Sequence, residues 1–283
     1  MLAITFMVLM IYFVYHSNLS NYQYSEVKFF MKYKPFEIYK NRRKGPWVII
    51  CDHASNFVPK SVANGNLGIN KKEMQRHIAF DVGAKGLALE LGKSLGSPVV
   101  CSNFSRLVID PNRGEKDPTL VMQLYDGTII PANKNVTDLE IDRRLDLFYR
   151  PYHDAIKNLL NTFQDPIIVS IHSFTPQLKG KKTRPWHVGL LTSGDRRFHN
   201  LLLKSFEKET QLCIGDNEPY IGTSPGNTID KHAIIKERFN TLIEVRNDLI
   251  KTEFDQKIWA KLIKNNLLQA KEYLDGRCIE NKT

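Results

Sequence analysis

Residues 166–173 read PIIVSIHS. The run after Pro166 is short, β-branched and apolar, and a polar pair follows it, which is the pattern of a strand buried on both faces. It delivers His172 and Ser173 at its carboxyl end. Upstream, Leu145, Phe148, Tyr149, Tyr152, Ile156, Leu159 and Leu160 recur at helical spacing, so residues 142–162 form an amphipathic helix. Pro151 sits inside it and predicts a kink or two helices. Further upstream, WVIIC at 47–51 follows Gly45-Pro46 and reads as a second buried strand, ending in Asp52-His53-Ala54-Ser55-Asn56. Residues 71–95 are helix-permissive, with Gly83, Gly86 and Gly92 as points of close packing, and Val99-Val100-Cys101 is the next strand. Downstream come VGLLT at 188–192, a helix over 197–212, TLIEV at 241–245 and a closing helix over 253–273. Short apolar strands separated by helices predict an α/β fold, its sheet mainly parallel or mixed and covered by helices on both faces. In such folds ligands bind at the carboxyl ends of the strands.

The chain has 283 residues, 42% of them apolar and 25% charged, and a mean hydropathy of −0.33. These values exclude a disordered, collagen-like, coiled-coil or polytopic membrane protein. A chain of this length builds a full core unaided, so a bound metal is functional rather than structural. Cys51, Cys101, Cys213 and Cys278 are far apart and form no C-x-x-C pair; they read as reduced thiols of a cytoplasmic protein. The formal charge of +10 favours anionic partners. The basic runs KNRRK at 40–44 and KGKK at 179–182 are short and read as solvated loops, and no nucleic-acid motif accompanies them. A small acidic substrate is therefore expected, and no nucleic acid.

Residues 1–15 read MLAITFMVLMIYFVY, shorter than the roughly 20 apolar residues a spanning helix needs. They suit a marginal membrane anchor, an atypical signal peptide or a start placed too far upstream. Lys28, Lys32 and Lys34 would keep an anchored chain on the cytoplasmic side. Residues 1–20 are set apart on this ground, and 21–283 are expected to form a single domain.

Three strands deliver polar groups to one edge: Asp52 and His53 from the first, Ser170, His172 and Ser173 from the second, and Glu244, Arg246, Asn247 and Asp248 from the third. Two histidines and a carboxylate converging from different strands suit a catalytic zinc site with a position left open for water. Each histidine alone also fits a hydrogen-bonded strand end. Glu244, inside an apolar strand, needs a cation, a metal or Arg246 beside it, because a buried carboxylate is costly unless paired. In SRLVIDPNR at 105–113, Arg106 and Arg113 bracket Asp110 and Asn112. Guanidinium forks grip carboxylates in two places, so this loop suits an acidic substrate; an exposed basic loop fits the spacing equally. His77 and Asp81 are four apart on the predicted helix and share a face, as a ligand pair or as a surface pair. Asp195 is a helix cap or a catalytic carboxylate. His187 precedes a strand, in a loop or beside substrate. The remaining histidines, His16, His153, His199 and His232, read as surface or ordinary packing. There is no P-loop or G-x-G-x-x-G, and GTSPG at 222–226, which has the G-x-S-x-G spacing, reads as a turn-rich loop rather than a nucleophile elbow. The turn-rich segment 222–226 either covers a site or joins elements.

Five segments, CDHASN at 51–56, HIAFDVGA at 77–84, SRLVIDPNR at 105–113, SIHSFTP at 170–176 and IEVRNDL at 243–249, together resemble the N-formylglutamate amidohydrolase family over about residues 45–270. The resemblance implies a zinc-peptidase-like (phosphorylase/hydrolase-like) α/β fold and a metal-dependent hydrolase of amides, named for releasing formate from N-formylglutamate in histidine catabolism. Related zinc peptidases carry His-x-x-Glu, whereas here Asn56 stands three after His53. The third ligand is thus open between Asp52, Asp81 and Glu244. The resulting assignment gives Zn2+, or another divalent ion, to His53 and His172, with Asp81 as the third ligand. Glu244 is the general base, with Arg106 beside it in catalysis. Arg113, Arg246, Asp110, Asn112, Asn56 and Ser173 are given to substrate. A non-catalytic binder of an acidic ligand and a membrane-tethered peptide or cell-wall amidase are the competing readings.

Overall fold

The computed structural model describes residues 33–40, 45–222 and 225–276. The apolar segment 1–20, His16, Lys28, Lys32, most of the KNRRK run, part of the 222–226 turn and Cys278 lie outside them. In chain order the strands are β1 (Phe36–Tyr39), β2 (Trp47–Cys51), β3 (Val99–Ser102), β4 (Leu124–Tyr125), β5 (Thr128–Ile129), β6 (Ile167–Phe174), β7 (Val188–Leu191), β8 (Ile214–Asp216) and β9 (Asn240–Arg246). The α-helices are α1 (Ala84–Leu95), α2 (Asp138–Arg144), α3 (Arg150–Leu160), α4 (Arg197–Phe206), α5 (Thr228–His232) and α6 (Glu253–Leu274).

Seven strands make one sheet in the order β1-β3-β2-β6-β9-β7-β8, and β4 and β5 form a separate hairpin. The four central strands, β3, β2, β6 and β9, run parallel. β1 is antiparallel to β3, and β7 is antiparallel to β9, so the sheet is mixed. One face carries Trp47, Ile49, Cys51, Val169, Ile171, Ile243 and Val245 against α1, α4 and α6. The alternate residues of β6 and β9, Ser170, His172, Leu242 and Glu244, are likewise buried, and the period of two turns them to the other face. The chemistry lies on that second face, under α3 and α5. α6 opens with a capping box in which Thr252 and Asp255 satisfy each other's backbone N–H.

Three expectations need correction. The predicted helix over 71–95 begins only at Ala84, after a short turn at Glu73–Gln75. Gly83 has φ 82°, and a Cβ on it would lie 2.3 Å from the Ile250 carbonyl oxygen, so the chain turns there rather than continuing a helix. His77 and Asp81 therefore do not share a helix face. The 142–162 segment, by contrast, forms two helices as Pro151 predicts: α2 and α3 are joined by a wide π-helical turn over Leu145–Tyr149, and Pro151 falls in the first turn of α3, where its missing N–H costs nothing. The helix predicted over 197–212 ends at Phe206. Because β7 runs against its neighbour, its carboxyl end points to the opposite edge of the sheet, away from the central strand ends. Asp195 lies there, accepting from Arg197 N and pairing with its guanidinium at the start of α4. Among the described residues no helix is long and apolar enough to cross a membrane.

Candidate metal centre and active-site cleft

At the carboxyl ends of β2 and β6, His53 and His172 approach each other, with ring centroids 5.0 Å apart. The segment ahead of α1 lays Asp81 between them: its amide donates to the His53 carbonyl (2.9 Å). Asp81 Oδ2 lies 3.2 Å from His53 Nδ1 and 2.8 Å from His172 Nδ1. One donor atom from each of the three residues falls within 4.8 Å of the others, and all three are buried. Two imidazole nitrogens and a carboxylate oxygen converging on one point can hold a divalent cation.

Each imidazole is steadied from behind. His53 Nε2 is 2.7 Å from Asp110 Oδ1. His172 Nε2 is 3.2 Å from Asp52 Oδ2 and 3.1 Å from Ser170 Oγ. With Nε2–H donated to a carboxylate, each ring presents Nδ1 to the centre, the arrangement that orients metal-bound histidines and raises their basicity. The carboxylates are held in turn: Tyr152 and Thr228 hydroxyls donate to Asp52 (both 2.8 Å), and Arg106 donates twice to Asp110 (3.1 and 2.7 Å). If the centre holds a divalent ion, Asp110→Asn is expected to weaken its affinity about 10- to 100-fold without abolishing it, as loss of such supporting carboxylates does; competition with a chromogenic chelator measures this.

Three aspartates, Asp52, Asp81 and Asp110, are buried here; Asp81 and Asp110 pair with one guanidinium, Arg106, and Asp52 with His172. Burial alone would raise the carboxyls and lower the imidazoles. The imidazoles and Arg106 outweigh it and hold the aspartates below the usual carboxylate range, while the aspartates lift His53 and His172. Three carboxylates against one guanidinium make the centre favour cationic charge, whether on the lifted imidazoles or on an ion. Glu244 is the counterpart. It pairs in register with His172 on the next strand, faces the cleft, and its buried Oε2 has no hydrogen-bond partner. Burial, reinforced by Asp81 and offset by His172, pushes its carboxyl up to about 7.

The cleft above the centre has a volume of about 730 Å³ and is lined by His53, Asp81, His172, Ser173 and Glu244, among others. Arg113 and Asn112 line it from the loop after β3. Arg113 donates to Thr119 and to the Asn112 carbonyl, and among the described residues no carboxylate pairs with it. Arg106 differs from the expected clamp. It also lines the cleft, but its guanidinium is committed to Asp110 and Asp81 (2.7 and 3.4 Å), so it fixes the two carboxylates. Arg246 is not part of the lining: it pairs with Asp248 (2.8 Å) and reaches the Trp186 carbonyl, past the end of β9. Asn56 is absent from the lining too, its amide donating to the Met74 carbonyl (2.9 Å) and anchoring the loop after β2. Ser173 offers its amide to Asp81 and its hydroxyl to the Val82 carbonyl. His187 accepts from the Cys213 amide, away from the cleft.

The sequence reading missed Tyr125 and Tyr220 in the lining, which also includes His77, weighed above with Asp81 as a ligand or surface pair. His153 and His232, read as surface or ordinary packing, are buried and stacked, with Nδ1 of the first 2.9 Å from Nε2 of the second, a pairing the sequence reading did not foresee. His153 Nε2 faces the Pro111 carbonyl at 3.0 Å, so that nitrogen donates and Nδ1 accepts from His232. Their remoteness in sequence, on α3 and α5, hid the pair. Burial first, then mutual repulsion and Lys231, push His153 down to about 3; burial pushes His232 down to about 4. Both are neutral when folded, whereas the unfolded chain protonates them near pH 6.5. Stability is therefore full above about pH 6.5 and falls as the pH drops toward 4, by a few kcal/mol at about 1.4 per pKa unit. The midpoint of thermal unfolding, followed from pH 7 to 4, should fall less steeply in His232→Gln, which keeps a donor and does not titrate.

The sequence profile of the N-formylglutamate amidohydrolase family matches residues 45–251. That span contains every residue of the centre and both sides of the cleft. A gene product of Agrobacterium tumefaciens has a similar structure, with TM-score 0.80 and 28% identity over 87% of this chain and 98% of its own. N-formylglutamate amidohydrolase from Ralstonia eutropha shares the fold, with TM-score 0.62 and 17% identity over 86% of this chain and 99% of its own. No curated protein sequence matches. The five segments found dispersed along the sequence thus meet around one centre inside the matched region, and the chain belongs to the N-formylglutamate amidohydrolase family.

Proposed function

We propose that this protein is a metal-dependent amidohydrolase that cleaves the amide bond of a small acidic N-acyl amino acid, N-formylglutamate being the family's named substrate. The observation that carries the reading is the His53–Asp81–His172 cluster opening onto a cleft beside a partnerless buried glutamate. His53, His172 and Asp81 would hold Zn2+ or a similar ion, which when bound supplies a Lewis acid and a water of lowered pKa. Glu244 Oε2 takes the proton of the attacking water and passes it to the leaving amine nitrogen, a task suited to a carboxyl held near neutrality. Arg113 takes the carboxylate of the amino-acid part. Arg106 acts as a positioning residue, holding Asp110 behind His53. Asn112 steadies the same loop, its amide donating to Asp110 and its side-chain oxygen accepting from the Thr228 amide. Free thiols at Cys51, Cys101 and Cys213 support a cytoplasmic location.

The test is metal content together with formate release. The purified chain, reconstituted with zinc, should hold about one ion and release formate from N-formylglutamate or from another N-formyl acidic amino acid. Failure to bind zinc or cobalt would overturn the mechanism, leaving a binder of an acidic ligand gripped by Arg113.

A further inference from the structure

The cleft has two unlike sides, and the strand order explains why. β2 and β6, which carry the histidines, are central. The loop following β3 lies to one side of them, and β9 and β7 lie to the other. The first side is polar and carries Arg113. The second has an apolar floor: Leu242 lies two residues from Glu244 on the same face of β9, and Leu191 of β7 is its register partner. Both are buried and line the cleft. The wall over this floor is the segment 217–222, which supplies Pro219, Tyr220 and Ile221.

This wall is built in place. The Asn217 amide donates to the Leu190 carbonyl (2.9 Å), and Asn217 Oδ1 accepts from the Thr192 amide (2.8 Å). The segment packs so closely on β7 that a Cβ on Gly189 would lie 1.9 Å from the Glu218 carbonyl oxygen. Arg184 stacks on the Tyr220 ring at 4.8 Å and donates to its hydroxyl at 3.0 Å. At the mouth Ile221 is 78% exposed, an apolar side chain presented to solvent at the rim of a cleft.

A formyl group has only a hydrogen on its acyl side and would leave this floor untouched. A formylated amino acid of about a dozen non-hydrogen atoms also uses a small part of the cleft, since volumes of roughly 300–1,000 Å³ hold drug-sized ligands. We infer that the floor of Leu191 and Leu242 and the wall of Tyr220 and Ile221 form an acyl-chain subsite, and that the substrate is an acidic amino acid whose N-acyl group is a medium-length aliphatic or an aromatic chain. This rests on the amidohydrolase reading and specifies its substrate class. The carboxylate of the amino acid lies toward Arg113, the scissile carbonyl over the histidines, and the acyl chain runs from Glu244 toward Ile221.

The test compares N-formyl-, N-butyryl-, N-hexanoyl- and N-benzoyl-L-glutamate in two measurements. Calorimetry on the full-length, zinc-loaded Glu244→Gln variant reads binding free of turnover, and kcat/KM is measured on the zinc-loaded wild type. Burial of a methylene gains roughly threefold to fourfold, so Kd should fall at least about tenfold from formyl to hexanoyl. kcat/KM should rise in step, and Ile221→Ser should lower the hexanoyl-to-formyl ratio of Kd advantages severalfold. A Kd that is flat or rises with acyl length, while N-formylglutamate is turned over, overturns the subsite and leaves the hydrolase standing. A Kd that falls with acyl length, with none of the four amides cleaved, keeps the subsite and overturns the hydrolase. Binding of none of the four overturns both.

Discussion

Glu244→Gln is expected to lower turnover about a thousandfold, within the range for loss of a general acid–base group, while the protein keeps its metal. Gln is nearly isosteric with Glu and leaves β9, the cleft floor and the three-residue cluster unaltered. It also removes a charge that the fold itself opposes, since burial already pushes this carboxyl up to about 7. Thermal stability should therefore hold or rise slightly. A cation beside Glu244 favours its ionised form and brings its pKa back toward the ordinary 4.5. The acid limb of the wild-type kcat/KM profile is thus expected between about 4.5 and 7, with activity lost as pH falls and the base protonates. Stopped assays of formate release across that range, with metal content read on the same samples, check both points. Full activity in the Gln variant would remove Glu244 from the chemistry.

How far this was legible in the sequence differs from element to element. β2, β6 and β9 announce themselves because strands buried on both faces read as unbroken apolar runs, and an interrupting polar residue, such as His172 or Glu244, then stands out. The segment carrying Asp81 was misread as helix, because HIAFDVGAKGLALEL has helical composition. What ends the helix is tertiary, the approach of the Ile250 carbonyl to Gly83. The direction of β7 is equally invisible in VGLLT, since an antiparallel strand has the same composition as a parallel one, and this reversed the placement of Asp195. Arginines carry the sharpest lesson. Spacing offered Arg106, Arg113 and Arg246 alike as clamps for carboxylates, but only the packed structure shows which guanidinium already has its carboxylates. Arg106 is committed to Asp110 and Asp81, Arg246 to Asp248, and Arg113 remains turned to the cleft.

Asp81→Ala should have the second large effect: loss of bound zinc, and with it all turnover. Asp81 Oδ2 lies within hydrogen-bond distance of both histidines, and it also accepts the Ser173 amide at 3.3 Å. Removing it deletes the carboxylate proposed as third ligand and leaves two imidazoles facing each other. It also halves the partners of Arg106, whose Nη1 loses its contact at 3.4 Å. Leaving buried donors unsatisfied costs about 1–3 kcal/mol each, so a lower unfolding midpoint in the apo variant would not by itself separate ligand loss from a damaged fold. The zinc-induced shift separates them, because a ligand that binds only the native state raises the midpoint in proportion to its affinity. Wild type should gain several degrees on adding zinc, and Asp81→Ala should gain none even where its circular dichroism is native. Asp81→Glu, which restores a carboxylate at the wrong reach, should recover part of the shift. If Asp81→Ala still takes up zinc at the wild-type midpoint shift, Asp81 is not a ligand. The third position would then pass to Glu244, whose buried Oε2 has no hydrogen-bond partner, or to Asp52, and in the first case the general base would have to be sought elsewhere in the cleft.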